Sequence, residues 1–373
     1  MVAISGDTKM ENWSSRLTFI MASVGFSVGL GNIWRFPYVT GENGGAAFII
    51  VYLACALCIG VPLVMAEWAI GRRAINAASA VGSFREVAIN ENLSSKWSGV
   101  GGMAIAAVFM IMLTYTVITG WTLDYFSKAI GGEFTAMTTE KSKSIFDSLM
   151  ADPLRLIFWH TVVVMITVFV NSKGVQSGIE KAVKILMPAL FVCLIIMVIY
   201  SSIVGDMSAA LNFLLTPDFS QITGETFLLA LGQAFFSIGI AMAVMVTFGS
   251  YLDQGASIPQ NSFIVVFADT FVAMLAGFAI FPLVFAHGLT PDAGAGLVFQ
   301  ILPIALADLP GGQILSAVFF LLLIAAALTS CIGNFEPIVA WTAEKFRLRR
   351  KKATYLAGGV MWLLGILSVL SLN

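Results

Sequence analysis

The chain has 373 residues, of which 58% are hydrophobic and 11% charged, with a formal net charge of -1 and a mean hydropathy of +0.92. An apolar excess of that size excludes an ordinary soluble domain and makes lipid the expected solvent. The near-neutral charge argues against nucleic acid as a partner, and Cys55, Cys58, Cys193 and Cys331 all fall in apolar runs, so they read as packing rather than metal or disulfide chemistry.

About 20 apolar residues cross about 30 Å of hydrocarbon. Nine such runs occur, at 13–37, 45–70, 99–126, 154–171, 183–204, 226–249, 261–286, 312–341 and 353–372. The expected fold class is an all-α polytopic membrane protein. The first run is too long for a signal peptide and lacks a small-residue cleavage pattern, so it is expected to stay as a span. Two runs, the first and the sixth, carry glycines where a lipid-facing helix avoids them: Gly25-Phe-Ser-Val-Gly29-Leu-Gly31 and Ser237-Ile-Gly239-Ile-Ala241. Glycines also let helices pack closely. Corresponding breaks five helices apart, however, are the pattern of two inverted repeats that each open with a discontinuous helix, with a binding site between the breaks.

Between the runs, segment 129–153 is polar and rich in Ser and Thr and reads as an exposed outer loop with little chemistry. Segments 172–182 and 343–352 are basic and expected to face headgroups or water. Segment 287–311 mixes His287, Pro291, Asp292 and Pro310 with the apolar stretch Gly296 to Leu306, and reads as a re-entrant or capping hairpin. Alternate loops divide the cations unevenly. Fifteen Lys and Arg gather on one side and four on the other, with Arg35 left at the outer end of the first span. The positive-inside rule then puts the N-terminus in the cytoplasm of a cell-membrane protein, and an odd span count puts the C-terminus outside.

Where a helix unwinds in a membrane, its freed N–H groups can hold an anion and its freed carbonyls a cation. The amides of Leu30 and Gly31 are therefore candidate donors to a substrate carboxylate, and Tyr115 in the third span offers a hydroxyl or simply fills the core. Asp269 is a carboxylate in mid-membrane, which costs at least a few kcal/mol unless paired or protonated and so invites a functional explanation. His160 and His287 stand apart with no nucleophile arranged nearby, so no enzyme is expected. No ring-forming filter sequence suggests a channel.

The string Gly29-Leu-Gly-Asn-Ile-Trp-Arg-Phe-Pro-Tyr38, followed by Glu42-Asn-Gly-Gly45, Glu67-Trp-Ala-Ile-Gly-Arg72, Gly120-Trp-Thr-Leu123, Gln233-Ala-Phe-Phe-Ser237, Gly277-Phe-Ala-Ile-Phe281 and Leu328-Thr-Ser330, closely resembles the neurotransmitter:sodium symporter family, nearest its bacterial leucine-transporter type. The resemblance implies a first repeat over 1–205 with spans 1 to 5 and a second over 206–373 with spans 6 to 9, the tenth span being absent. It implies a sodium-coupled symporter of neutral amino acids working by alternating access. A non-transporting binder or sensor, or an inactive fragment, is the alternative that a missing span leaves open. The expected partners are an amino acid, sodium ions and the lipid bilayer, with a homodimer left open.

By the same resemblance the substrate is held by Ser27, Gly29, Leu30, Gly31, Ile111, Tyr115, Phe236, Ser237, Gly239, Met242, Ser330 and Asn334. Family members that carry amines have an acid at the position of Gly29, so Gly favours a substrate that brings its own carboxylate. Gly239 is expected to leave room where relatives often have Ser, and Asn334 to admit a polar group. Two Na+ sites are implied. One is built from Ser27, Asn32, Ser237 and Asp269, the other from Gly25, Val28, Ala326, Thr329 and Ser330. Many relatives have Asn at 269, and one turn later, at Ala273, either Glu or a chloride-binding Ser, so the resemblance implies that the Asp269 charge replaces chloride and transport is chloride-independent. Glu67 matches a brace for the unwound sixth span. Arg35, Gln233 and Phe236 match an outer gate. Trp13 and Glu344 match inner gate positions, where Met10 replaces the expected basic residue and Lys9 or Arg16 are its stand-ins.

Overall fold

The computed structural model describes residues 11–135, 137–289, 296–307 and 309–371, and they are helices and connecting turns without a strand. Seven apolar runs form continuous helices long enough to cross a membrane. The other two, first and sixth in order, are broken.

The first span is α1 (Arg16–Ser27) and α2 (Gly31–Glu42), bent by 47°. Next come α3 (Ala46–Arg73), a short α4 (Ala80–Asn90), α5 (Ser95–Ile130), α6 (Thr139–Met150), α7 (Pro153–Ser172), α8 (Val175–Val204) and α9 (Met207–Leu215). The sixth span is α10 (Gly224–Ile238) and α11 (Val244–Ser250). It is followed by α12 (Ile258–Ala286), α13 (Leu297–Ala307), α14 (Gly312–Phe346) and α15 (Arg350–Leu370). Both broken spans open with the same device. Ser15 and Thr18 at α1, and Thr223 and Thr226 at α10, exchange side-chain and backbone bonds as capping boxes. Each satisfies two of the amide donors that a helix start leaves free.

Lipid tails are as apolar as leucine, so burial of apolar area does not drive these helices together and close contact must. The approach of α3 to α11 shows how. A Cβ on Gly71 would lie 2.0 Å from the Val246 carbonyl oxygen, and one on Gly249 would lie 2.7 Å from that of Trp68. Only glycine permits this backbone contact from both sides. The long α14 runs through the middle of the bundle against α5 and α8 and is buried along most of its length.

Two connecting segments compare differently with the sequence expectation. Segment 129–153 is not an open loop, because it contains α6, capped by Thr138 and seated by the buried Ser142 and Leu149. Its polar composition hid an amphipathic helix whose Ser142 hydroxyl donates to the Gln300 carbonyl at 2.6 Å. The expected cap at 296–306 does form, as a π turn at Leu297–Ile301 continuing into 302–307. Phe299 anchors it, its ring centroid 5.2 to 5.9 Å from those of Trp34, Trp121 and Tyr125. His287 caps α12 through the Leu283 carbonyl at 2.8 Å, while Pro291 and Asp292 lie outside the described residues. His160 is fully buried, with Nε2 3.2 Å from the Trp362 carbonyl. The four cysteines are unpaired.

Candidate functional site

The first break is made by three diverted amides. Val28 gives the last α1 bond, to Val24, and then turns to φ -73°, ψ 95°. The Gly29 N–H bonds the Asn32 side-chain oxygen at 3.0 Å, the Leu30 N–H bonds the Tyr115 hydroxyl at 3.2 Å, and the Asn32 N–H bonds the Gly29 carbonyl at 3.1 Å. In an unbroken helix those three amides would serve the carbonyls of Gly25, Phe26 and Val28. Phe26 recovers a partner in the Ser330 hydroxyl at 2.9 Å. The carbonyls of Gly25 and Val28 are freed. The chain then re-enters a helix through a π turn at Gly31–Arg35.

At the second break α10 ends at Gly239 in the left-handed region, φ 77° and ψ 36°. Ala241 and Ala243 also have positive φ, 63° and 61°. The Ala241 N–H finds its acceptor in Glu67 Oε1 at 2.7 Å, the bracing contact that the sequence led us to expect. The breaks touch each other where the Ser27 hydroxyl donates to the Ile238 carbonyl at 3.1 Å.

Asp269, fully buried on α12, joins both breaks. The Asn32 amide donates to its Oδ1 at 2.8 Å and to its backbone oxygen at 2.9 Å. Ser237 donates to Oδ2 at 2.8 Å, and the Tyr52 hydroxyl lies 3.4 Å from the same oxygen. No ion pair reaches this carboxylate from the described residues. The Asp269 carboxylate and the Ser237 and Tyr52 hydroxyl oxygens beside it are oxygen ligands of the kind a hard cation takes. A second set of oxygens surrounds the start of the first break. Thr329 back-bonds to Ala325 at 3.0 Å and Ala326 at 2.9 Å, so its hydroxyl, like many in spans, serves its own helix. Ser330 instead crosses to α1. Gly25 faces this group, its Cβ position lying 3.7 Å from the Thr329 Cβ.

Between the breaks lies a cavity of about 20 Å³, room for a water molecule. Nine expected residues line it, namely Ser27, Gly29, Gly31, Ile111, Tyr115, Phe236, Met242, Ser330 and Asn334, and Phe26 joins them unforeseen. Leu30, Ser237 and Gly239 stand behind the wall. The room expected at Gly239 is taken by the Phe26 ring, whose Cζ would sit 2.2 Å from an added Cβ. Space at Gly29 is equally closed, with the Ser330 hydroxyl 2.3 Å and the Tyr115 hydroxyl 2.9 Å from a Cβ there. The Asn334 side-chain oxygen is buried without a hydrogen-bond partner among the described residues.

Above the cavity the Arg35 guanidinium donates to Gln233, which in turn donates to the Gly31 carbonyl at 2.9 Å. Arg35 also lies over the Phe236 ring, 5.4 Å from its centroid. At the opposite end Trp13 donates to the Phe248 carbonyl at 3.1 Å and packs on Phe248 and Tyr251. Glu344, expected near it, instead accepts the Ser79 N–H at the start of α4, 3.1 Å away. Arg16 bonds Asn261 at 2.9 Å, and Lys9 and Met10 lie outside the described residues. The charged clasp at this end is one that sequence reasoning missed. Arg350 grips both oxygens of Glu336, at 2.8 and 2.5 Å, Tyr251 donates to the same carboxylate at 2.9 Å, and Glu11 stands 3.6 Å from Arg350. The available signal was a carboxylate inside the eighth apolar run.

Two broken helices that meet across a carboxylate and enclose a cavity beneath paired end-clasps define a class, the multi-span secondary transporter. The family model described as the sodium:neurotransmitter symporter family matches residues 10–143 and 150–372. An uncharacterised sodium-dependent transporter of Haemophilus influenzae is 37% identical over 97% of this chain and 80% of its own length. One from Bacillus subtilis is 36% identical over 98% and 80%. The crystal structure of MhsT in complex with L-phenylalanine superposes with a TM-score of 0.89 at 43% identity, covering 97% of this chain and 81% of that one. The chain belongs to the sodium:neurotransmitter symporter family. It is a sodium-dependent transporter, a class distinct from the enzymes.

Proposed function

We propose that the chain carries neutral amino acids into the cell with sodium, by alternating access and without a need for chloride. The observation that carries this reading is Asp269, a buried carboxylate that takes hydrogen bonds from Asn32 of one break and Ser237 of the other. A negative charge fixed at that point offsets the first sodium ion as it binds with the substrate carboxylate, which is the role a chloride ion would otherwise have. Ser27, Asn32 and Ser237 complete that site. The freed carbonyls of Gly25 and Val28, with Ala326, Thr329 and Ser330, form the second. The closed space at Gly29 supports a substrate that brings its own carboxylate, for the Leu30 and Gly31 amides and the Tyr115 hydroxyl to hold. The L-phenylalanine bound to MhsT favours a neutral side chain, and Phe236 and Met242, both half-buried, are the walls that shift to admit it.

We assign the N-terminus to the cytoplasm. The basic segments meet at one end of the bundle, through Glu11 with Arg350 and Gln176 with Asn12. The matching capping boxes of α1 and α10 support division into repeats at 205 and 206.

In proteoliposomes, an inward sodium gradient should drive uptake of labelled phenylalanine or leucine at equal rates in chloride and in gluconate, with counterflow on preloading. Chloride-dependent uptake would overturn the role of Asp269. Saturable sodium-dependent binding with no counterflow would leave a binder in place of a transporter.

A further inference from the structure

A second opening lies away from the substrate cavity, on the outer surface of the bundle between α5, α14 and α15. It is a cleft of about 490 Å³ with Phe109, Ile338, Trp341, Phe346, Leu356 and Val360 among its walls. Gly102 forms part of the floor, and a Cβ added there would meet nothing within 4 Å. Thr342, the one hydroxyl in the lining, spends its proton on the Ile338 carbonyl at 2.7 Å. Apart from that hydroxyl and the Trp341 indole N–H, the side chains of the lining are apolar. Hydrocarbon matches such a lining.

The mouth of the cleft has the opposite character. On α14, Lys345 follows Trp341 by four residues and Ile338 by seven, on α15 Lys352 precedes Leu356 by four, and Arg349 is the extended residue that immediately precedes α15. Side chains at those spacings share one helix face. All three cations are exposed, and none has an ion-pair partner among the described residues. The two carboxylates of this corner are engaged elsewhere, Glu336 by Arg350 and Tyr251 and Glu344 by the Ser79 amide. Leu356 and Val360 lie about 6 and 12 Å beyond Lys352 along the helix, at about 1.5 Å per residue. An apolar trough that ends at three free cations fits one molecule with a hydrocarbon chain and an anionic head.

We propose that this cleft is a binding site for an anionic phospholipid, one acyl chain lying between α5, α14 and α15 and the phosphate resting against Lys345, Arg349 and Lys352. A zwitterionic lipid fills the trough equally well. The cations supply the selection, because each Lys or Arg near an anionic headgroup adds attraction that salt screens. The site is independent of which substrate the transporter carries.

Trp341 in the wall provides the readout. The full chain is placed in phosphatidylcholine nanodiscs, and phosphatidylglycerol or phosphatidylcholine with brominated acyl chains is titrated in. The quenching lost in Trp341→Phe isolates this residue from the other tryptophans. Phosphatidylglycerol should reach half-quenching at a mole fraction at least about tenfold lower than phosphatidylcholine, and the triple variant K345Q/R349Q/K352Q, altered only at exposed positions, should erase the difference. Gly102→Phe, which fills the trough, should remove quenching by both lipids while helix content stays unchanged. Equal quenching by both lipids in the wild type would overturn the proposal, as would a preference that survives the triple variant. Quenching that persists in a folded Gly102→Phe protein would place the chain elsewhere and overturn it too.

Discussion

The two breaks face one another but are held open by different means. At the first, every torsion is ordinary, with Val28 extended and Leu30 already helical at φ -60°, ψ -21°. The break persists because side chains, Tyr115 and Ser330 from other spans and Asn32 from the second half of this one, supply what the helix would have supplied. At the second, the backbone itself is displaced, with Gly239, Ala241 and Ala243 all at positive φ, and one side chain, Glu67, satisfies an amide from outside. The first break is therefore defined by its surroundings and the second by its own torsions. Alteration of contacts should act on the first, and alteration of backbone freedom on the second.

The largest effect is expected at Gly29. An aspartate there would set its Cβ 2.3 Å from the Ser330 hydroxyl and 2.9 Å from that of Tyr115, displacing two groups that hold the break. It would also put a second carboxylate beside the one the substrate brings. Gly29→Asp should abolish uptake. Gly29→Ala, which keeps the crowding without the charge, should destabilise by about 1–3 kcal/mol, the usual range for overpacking. Melting temperature in detergent separates the two contributions, and an active Gly29→Asp protein would mean the neighbours move aside.

Asp269 is the point where the two breaks are joined, so Asp269→Asn tests whether they act as one. Hydrogen bonds to an ionised group contribute roughly 1.5–3 kcal/mol against about 0.5–1.5 for neutral ones. The loss of about 1.4 kcal/mol that this implies corresponds to about a tenfold rise in the sodium concentration for half-maximal uptake. Without sodium the sign should reverse. A buried carboxylate with no cation is unfavourable, so the Asn protein should melt no lower than the wild type and should gain less when sodium is added. Identical sodium-induced shifts in both proteins would remove Asp269 from the sodium site.

The same contrast explains what was legible in the sequence. The first break could be located from the residues, because Gly29-Leu30-Gly31 interrupt an apolar run, and Asn32, Arg35, Gln233 and Ser330 were tied to it by the family resemblance. At the second, Gly239 was visible, but nothing in Ala241 or Ala243 announces a positive φ, since alanine ordinarily avoids it. The role of Gly239 was misread for a related reason. Phe26, which fills the expected space, lies more than two hundred residues away, and no local pattern reports such a contact. Glu336 escaped notice because one carboxylate hardly dents the hydropathy of a long apolar run, and α6 because its buried face is carried by few residues, Ser142 and Leu149.

Glu67 tests the outside support of the second break. Glu67→Ala leaves the Ala241 amide without its 2.7 Å acceptor. Because Ala241 is exposed, water replaces part of what is lost, and a stability loss of about 1 kcal/mol is expected. Uptake should fall severalfold through the maximal rate. Glu67→Gln, which keeps an oxygen in place, should restore most of it. A Gln protein as impaired as the Ala protein would mean that the charge, not the acceptor, is what the break requires.

The smallest effect belongs to the alanines. A residue with a Cβ in the left-handed region is strained by about 1–2 kcal/mol, which glycine relieves, but glycine also enlarges the unfolded ensemble by about 0.4–1 kcal/mol. The two terms nearly offset. Ala243→Gly should therefore raise stability by about 1 kcal/mol or less, visible as a small upward shift in melting temperature. Ala243→Val should lower it, because a β-branched side chain fits this region less well. The kinetic consequence runs opposite to the thermodynamic one. If the strain at 241 and 243 keeps the second break poised between conformations, its relief in Ala243→Gly should slow turnover while leaving substrate binding intact. Unchanged turnover with raised stability would mean that the torsions at 243 only shape the break and take no part in its movement.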